Sequence, residues 1–333
     1  MFIVLPLFFA ACALIDDDLS VCGEELIVHY QMELHTELSL QLQAELDEVQ
    51  DEPVRDALET WLAPVFTDHA KDINLRFFSL GTDELRYSVN EVINAKQKSY
   101  TLVLPTENYM HLAVANMADN HQVQLLGDDH AEDMHIYLSE NTYLDPLNTG
   151  MFTARLPMEV TEDSSQNFDV RLYMVTAAVA LVIDTTECDS VFTFEAKMKD
   201  GACGFALRDS LFDYSSDRLF RFEEVEIKLD KKNAPTRESK EPVLTTPYAC
   251  MATVGMPTPD STAWHIEFVT TLTKERHTTT TMTIDDPLKA GTLRVFKLRM
   301  RPDGGIEPKE SNQEVGISIT LDWKDGGSHD VDL

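Results

Sequence analysis

Residues 264–300 read WHIEFVTTLTKERHTTTTMTIDDPLKAGTLRVFKLRM, and this pattern sets the expected fold class. Trp264, Ile266 and Phe268 alternate with polar residues at its start. A period of two indicates a strand that is buried on one face, and threonine, which forms the run that follows, is enriched in strands. The Asp-Asp-Pro sequence at 285–287 is a turn signal before the last apolar segment. The stretch predicts three strands joined by turns.

Similar segments recur along the chain at a spacing of about ten residues, which favours antiparallel sandwiches over a parallel α/β fold. Residues 52–70 instead repeat apolar residues at three- and four-residue steps and predict one helix, which Pro64 ends or kinks. Residues 38–51 fit a helix or a strand. Residues 170–185 predict one long strand, whose Ala-rich middle also fits a helix. Other predicted strands are INLRFFSL (73–80), ELRYSVNEVI (84–93), SYTLVLP (99–105), NYMHLAVANM (108–117), MFTARLPMEVT (151–161), VFTFEAKM (191–198), LFRFEEVEIKL (219–229), YACMATVGM (248–256) and VGISITLDW (315–323).

The chain has 333 residues, which suggests two domains of about 100–200 residues each. The polar residues 164–167 break the strand pattern, so the predicted domains are 24–165 and 166–333. Lys and Arg total 27 while Asp and Glu total 58, so the formal charge is -31. A chain this acidic is repelled by phosphate backbones, which excludes nucleic-acid binding. The hydrophobic fraction of 43% is that of a folded protein.

The first twelve residues, MFIVLPLFFAAC, form an uncharged apolar run that is too short to span a bilayer. Its length and small residues suit the apolar region of a secretory signal peptide. Phe9-Ala10-Ala11-Cys12 resembles a bacterial lipobox, so we expect a signal peptide at 1–11 and a lipidated tether at 12–23 that begins with an acylated Cys12. The acidic residues 16–18 resemble the surface-export signal of Bacteroidetes-type lipoproteins and also fit a solvated tether. The alternative is a buried strand or helix start with an incidental cysteine.

The chain contains no GxGxxG, GxxxxGK[ST], GxSxG or HExxH motif. We therefore predict no catalytic, cofactor-binding or metal-binding residues and no enzyme activity. The acidic stretch around residues 128–135 contains candidate ligands for a metal ion, and a metal-dependent hydrolase remains an alternative only if their side chains converge on one point. An exposed acidic loop between strands is the better interpretation of this stretch. Four cysteines besides Cys12 fit either disulfides or isolated thiols, because their spacing matches no zinc or redox pattern. The candidate metal ligands are Asp128, Asp129, His130, Asp133 and His135, and the four cysteines are Cys22, Cys188, Cys203 and Cys250.

The order of segments resembles the FimB-type fimbrial anchor lipoproteins of the Bacteroidales, which are related to fimbrillins. The resemblance begins with the lipobox and covers nearly the whole chain. It rests on DDLSVC (17–22), IVHYQME (27–33), VRDALETWL (54–62), INLRFFSL (73–80), SYTLVLPTENYMHLAVAN (99–116), MFTARLPMEV (151–160) and RLYMVTAAVALVI (171–183).

The resemblance implies a mainly β fold of two tandem transthyretin-like antiparallel β-sandwiches, with one or two short helices in the first domain. It also implies a subunit at the base of a cell-surface fimbrium, with no cofactor. Acylated Cys12, which would carry palmitate or related chains, would anchor this subunit in the outer membrane. There it would attach the filament, limit its length, and have the fimbrial stalk subunits and membrane lipid as partners.

Subunits of that family join by exchange of a β-strand, in which main-chain hydrogen bonds supply the affinity. The candidate donor strand here is VGISITLDW (315–323), with Ile317, Ile319 and Leu321 on one face. An ordinary terminal strand, paired within its own sandwich, fits this pattern equally well. The alternative function is a surface glycan-binding lipoprotein of a nutrient-uptake system, which would share the signal, the acidity and the β-sandwiches.

Overall fold

The computed structural model describes residues 25–35, 38–47, 49, 51–92, 98–127, 129–162, 166–188, 193–227, 247–273, 276–309 and 317–325. Within these ranges the chain is mainly β, as the alternating pattern predicted. The described helices are α1 (Leu38–Asp47) and α2 (Glu52–Leu62), and neither is long and apolar enough to cross a membrane.

The strands of the first half of the chain are β1 (Glu25–His35), β2 (Asp72–Ser79), β3 (Leu85–Val92), β4 (Ser99–Pro105), β5 (Asn108–Ala115), β6 (Val123–Leu126), β7 (His135–Leu138), β8 (Tyr143–Leu144), β9 (Phe152–Glu159) and β10 (Gln166–Met174). The later strands are β11 (Ala177–Asp184), β12 (Thr193–Met198), β13 (Gly204–Ala206), β14 (Leu211–Asp213), β15 (Leu219–Arg221), β16 (Glu223–Glu224), β17 (Tyr248–Gly255), β18 (Trp264–Thr273), β19 (Arg276–Ile284), β20 (Leu293–Met300), β21 (Ile306–Pro308) and β22 (Ile317–Asp325).

The first sheet has seven strands in the order β3-β2-β5-β9-β10-β1-β4, and its β1–β10 pair is parallel. β9 and β10 share only two residue pairs at one end, so the sheet folds over at this point. The ring of Tyr30 on β1 lies 5.2 Å from His111 on β5 and 6.5 Å from Phe77 on β2. Because β9 and β10 separate β1 from β5 in the sheet order, these contacts show that the two halves pack face to face.

The second sandwich is built from two further sheets. A five-stranded sheet, β16-β17-β11-β20-β21, packs against a six-stranded sheet, β22-β19-β18-β12-β15-β8. The rings of Trp264 on β18 and Phe296 on β20 meet between them, with centroids 6.0 Å apart. Residues 177–183 of β11 are all buried, and α1 and α2 contact β20 and β17 of the same sheet. The five-stranded sheet is therefore covered on both faces, which explains the almost continuous apolar sequence of β11.

The sheets connect the two halves of the chain. The small sheet β14-β13-β7-β6 takes strands from both, and β8 pairs with β15. β10, the first strand after the predicted boundary at 165/166, pairs with β1 and β9 of the first sheet. The chain thus changes from the first sheet to the five-stranded sheet between Met174 and Ala177. The division into two domains stays a prediction.

The single long strand predicted over 170–185 was wrong, because the chain forms β10 and β11 there, with a break at Val175 and Thr176. The Val175 N–H donates to the Met151 carbonyl at 2.9 Å, and the Met151 N–H donates to Thr176 Oγ1 at 3.3 Å. The Gly291 N–H donates to the Thr176 carbonyl at 2.7 Å. These long-range hydrogen bonds lead the chain from one sheet to the next, and the mostly apolar sequence on either side of Thr176 does not signal them.

The helix predicted within 52–70 is α2, and it ends at Leu62, before Pro64. Its first turn is capped by Asp51, whose Oδ1 accepts the Val54 N–H at 3.3 Å. Val54, Leu58 and Leu62 are buried, as the four-residue spacing required. Residues 38–51, for which helix and strand both fitted, contain the helix α1.

Two glycines, Gly255 of β17 and Gly201, hold the ring of Phe220 between them. A Cβ atom at Gly255 would lie 2.8–3.0 Å from three atoms of this ring, and one at Gly201 would lie 2.7 Å from Phe220 Cε2. Since Phe220 is fully buried, its ring cannot retreat from one glycine without approaching the other. We expect Gly255→Ala to lower the free energy of unfolding by about 1–3 kcal/mol in urea denaturation.

Gly81→Ala is the matched control, because a Cβ atom there would meet only Ser79 Oγ, at 3.7 Å. We expect this substitution to change the free energy of unfolding by less than about 0.5 kcal/mol. A Gly255→Ala protein as stable as the Gly81→Ala protein would contradict the tight packing around Phe220.

Candidate functional site

The predicted lipidation residue, Cys12, lies outside the described residues, and its role stays a prediction. Cys22 lies outside them as well. The described cysteines Cys188, Cys203 and Cys250 are buried and form no disulfide. Burial, together with the charge of Asp51, raises the pKa of the Cys250 thiol to about 12. This thiol is therefore protonated at neutral pH and is a packing group rather than a nucleophile.

The C-terminal strand β22 contains the three candidate donor residues. It lies at one end of the six-stranded sheet and pairs antiparallel with β19 through nine residue pairs, from Ile317–Ile284 to Asp325–Arg276. Among the described strands, none pairs with the other edge of β22. In the single chain, β22 is thus paired within its own sheet, and its donation to another subunit stays a prediction.

The register of β22 places the candidate donor residues opposite buried positions of β19. The Cα partner of Ile317 is Ile284, that of Ile319 is Met282, and that of Leu321 is Thr280. These three β19 residues are at most 1% exposed and belong to the core of the sandwich. Because side chains alternate along a strand, a slip of one residue would exchange the apolar and polar sets of β22. The register of the β19–β22 pairing is therefore strongly specified.

Buried threonines of β19 also tie this edge to the turn before β21. Thr278 Oγ1 donates to the Asp303 carbonyl at 2.7 Å, and the Ile306 N–H donates to Thr280 Oγ1 at 3.1 Å. Gly304 in this turn has a φ of 81°, in the left-handed region that favours glycine. Since these hydrogen bonds are made to β19, they would remain if β22 paired elsewhere.

The acidic loop around residues 127–135 was the metal candidate, and its residue Asp128 lies outside the described residues. His130 Nδ1 lies 3.3 Å from the Asp83 carbonyl, and His135 Nδ1 lies 2.7 Å from the Asp133 carbonyl. Across the described part of the chain, no three His, Cys, Asp or Glu side chains converge as metal ligands would. The convergence that a metal-dependent hydrolase requires is therefore not found there.

A buried histidine that the sequence did not single out lies in the first sandwich. His111 is 0% exposed, with Nδ1 2.9 Å from the Arg76 carbonyl and Nε2 2.8 Å from the Tyr30 hydroxyl. Because a carbonyl only accepts, Nδ1 carries the proton and the Tyr30 hydroxyl donates to Nε2. Burial lowers the pKa of His111 to about 4, against the opposing effect of the hydrogen bond to Arg76. The imidazole is neutral at pH 7, and only the three-dimensional fold brings its two partners to it.

Comparison with known proteins identifies the fold and not the family. The chain matches no protein-family model, and no curated protein sequence matches it. A candidate polysaccharide-binding protein from Bacteroides thetaiotaomicron is structurally similar, with a TM-score of 0.53 and 9% identity, over 87% of this chain and 100% of that chain. A candidate adhesin from Bacteroides ovatus has a TM-score of 0.51 and 10% identity, over 88% of this chain and 96% of that chain.

The fimbrial anchor protein Mfa2 from Porphyromonas gingivalis has a TM-score of 0.47 and 11% identity, over 91% of this chain and 99% of that chain. A TM-score below 0.5 is too low to establish a common fold. The similarity to the two Bacteroides structures shows that this chain shares their β-sandwich fold. Identities this low carry no function from one protein to another.

Proposed function

We propose that the chain is a FimB-type, lipid-anchored subunit at the base of a cell-surface fimbrium. In this proposal acylated Cys12 holds the protein in the outer membrane, and exchange of β-strands joins it to the stalk subunits. The fold shared with a candidate adhesin and the lipobox support this proposal. The two tandem sandwiches would be of the transthyretin-like type.

The terminal strand β22 is the observation that carries the proposal. It has one described neighbour, β19, so its departure would break one ladder and leave the β18–β19 ladder in place. The buried Thr280, Met282 and Ile284 would then face an incoming strand of matching alternation. A strand from another subunit could restore the same main-chain hydrogen bonds, while the alternating side chains would set its register.

In this proposal, the lipid anchor explains why the filament ends at the membrane. In the family that the sequence resembles, polymerising subunits are trimmed by proteolysis before they exchange strands. A subunit that keeps its lipidated N-terminus cannot be trimmed there and stay attached, so it ends the filament and limits its length. The formal charge of -31 would keep a protein with open sheet edges soluble before its partner strand arrives.

A disulfide between β19 and β22 tests the exchange without removing the strand. Thr281 and Thr320 are Cα partners, and Thr320 is exposed, so the double variant Thr281→Cys/Thr320→Cys can join the strands at a separation suited to a disulfide. We expect the oxidised protein to lose its stalk subunits in co-purification from solubilised membranes. Growth with dithiothreitol, which reduces the bond, should restore them.

Glu195→Cys/Val269→Cys is the matched control, since it joins β12 and β18, which stay paired in either arrangement. This lock should leave the amount of co-purified stalk subunits unchanged. If the oxidised β19–β22 lock retained the stalk subunits as well as this control, exchange through β22 would be wrong.

A further inference from the structure

A polar depression with a volume of about 370 Å³ lies on the first sheet, across β10, β1 and β4. The strand register brings six exposed polar residues together there in two rows. The first row is Asn167, His29 and Thr101, and the second is Asp169, Gln31 and Ser99. Because neighbouring strands place paired residues on one face, all six side chains belong to the outer face of this sheet.

The floor of the depression is formed by residues of β1 and β4 whose side chains point to the opposite, core-facing side of the sheet. Tyr30 and Tyr100 also line the depression, yet they are only 1% and 8% exposed. Their rings belong to the aromatic core of the sandwich, with Tyr30 and Tyr100 centroids 6.3 Å apart. The depression therefore rests on a packed layer, which holds the six polar side chains on rigid strands rather than on loops.

The chemistry of the six side chains selects a ligand that both donates and accepts hydrogen bonds. Two amides, two hydroxyls, an imidazole and a carboxylate provide both functions within one small volume. An apolar ligand would displace water from these exposed polar groups without replacing its hydrogen bonds, whereas the hydroxyls of a sugar can replace them. The volume lies within the range of about 300–1,000 Å³ typical of small-molecule sites. We propose that this depression binds a carbohydrate.

The negative charge of the protein disfavours acidic carbohydrates at this depression. The one carboxylate of the depression is Asp169, and the whole chain has a formal charge of -31. The nearest cation along β10, Arg171, lies 3.8 Å from the Glu33 carboxylate and is paired with it. A sialylated or sulfated glycan would bring a further negative charge to this site, so the ligand is a neutral glycan.

The surroundings of the depression favour a chain of sugars over a single one. Tyr173 follows Asp169 by four residues on the same face of β10, which places it about 13 Å along the strand. Its side chain is 55% exposed, and its ring meets His35 edge-on with centroids 5.2 Å apart. In the other direction the exposed Ile27 and Val103 are Cα partners. The ring and this apolar pair can pack against the apolar faces of sugars on either side.

A glycan array tests the inference, and the test does not depend on lipid anchoring or strand exchange. The probes are immobilised neutral oligosaccharides and their sialylated and sulfated counterparts, presented to the purified full chain. We expect binding to one or more neutral glycans at least tenfold above their acidic counterparts. The double variant His29→Ala/Asp169→Ala should lower that binding at least tenfold.

The matched control is His121→Ala/Asp129→Ala, which removes the same two residue types at exposed positions outside the depression. It should bind like the unaltered protein. Both double variants change exposed side chains, so circular dichroism should show the same fold and the same melting temperature. The inference is overturned if no neutral glycan binds, if acidic glycans bind as well as neutral ones, or if the two double variants bind equally.

Discussion

Replacement of Cys12 by alanine is expected to remove the protein, and the stalk subunits joined to it, from the outer-membrane fraction. Each buried CH₂ of an acyl chain contributes about 0.8 kcal/mol to membrane binding, and a single chain binds only reversibly. In the proposed anchor, an acylated Cys12 would carry several chains, so loss of its thiol would remove all of them together. The measurement is an immunoblot of separated membrane fractions, combined with metabolic labelling by radioactive palmitate.

Cys22→Ala is the control for this prediction, because it removes a nearby cysteine that follows the acidic residues 16–18. The Cys22→Ala protein should keep both its palmitate label and its place in the outer membrane. An anchor role for Cys12 would be untenable if Cys12→Ala protein were still labelled or still in the outer membrane. If it lost the label and the stalk subunits remained at the membrane without it, another protein would be the anchor.

Acidification is expected to destabilise the protein through His111. Its folded-state pKa of about 4 lies below the ordinary value of 6.5, so between these two values the unfolded chain binds a proton that the folded chain does not. The contribution of this group is thus fully present above pH 6.5 and is lost as the pH falls toward 4. From this pKa difference we expect a loss of about 3 kcal/mol in the free energy of unfolding.

The structural reason is burial, which disfavours the charged imidazolium, while the hydrogen bond to the Arg76 carbonyl opposes the shift. A proton added at Nε2 would face the Tyr30 hydroxyl, which would have to stop donating and accept instead. His111→Gln provides the comparison, since a glutamine amide can donate and accept but does not titrate. Urea denaturation from pH 7 to pH 4 should show the unaltered protein losing about 3 kcal/mol more than His111→Gln does.

His29→Gln is the matched control, because it makes the same substitution at an exposed histidine. The two variants must be compared with the unaltered protein at every pH, so that pH effects unrelated to His111 cancel. Equal slopes for His111→Gln and the unaltered protein would show that His111 does not control acid stability.

Much of the fold could be predicted because it depends on local patterns. The alternation of Trp264, Ile266 and Phe268 corresponds to residues of β18 that are all buried. The four-residue spacing of Val54 and Leu58, with a proline at the start of the segment, was enough to predict α2. In each case a single period decides which face is buried, and that period is visible in a short stretch of sequence.

The parts that could not be predicted depend on residues far apart in the chain. The break at Thr176 is made by hydrogen bonds to Met151 and Gly291. The polar depression joins His29, Thr101 and Asn167, and only strand pairing brings them within reach of one ligand. The candidate donor residues of β22 could be chosen by alternation, but their buried partners on β19 could not.

The sequence by itself determined that the chain is mainly β and where most of its longer strands and its helix α2 lie. These properties follow from composition and from periods of two and of three to four residues, which act within a few residues of one another. The tertiary structure decided which strand lies at an edge, which histidine is buried and neutral, and which polar side chains share a depression. Those properties arise only when segments that are far apart in the sequence pair and exclude water. A local sequence pattern does not show which distant segments come together.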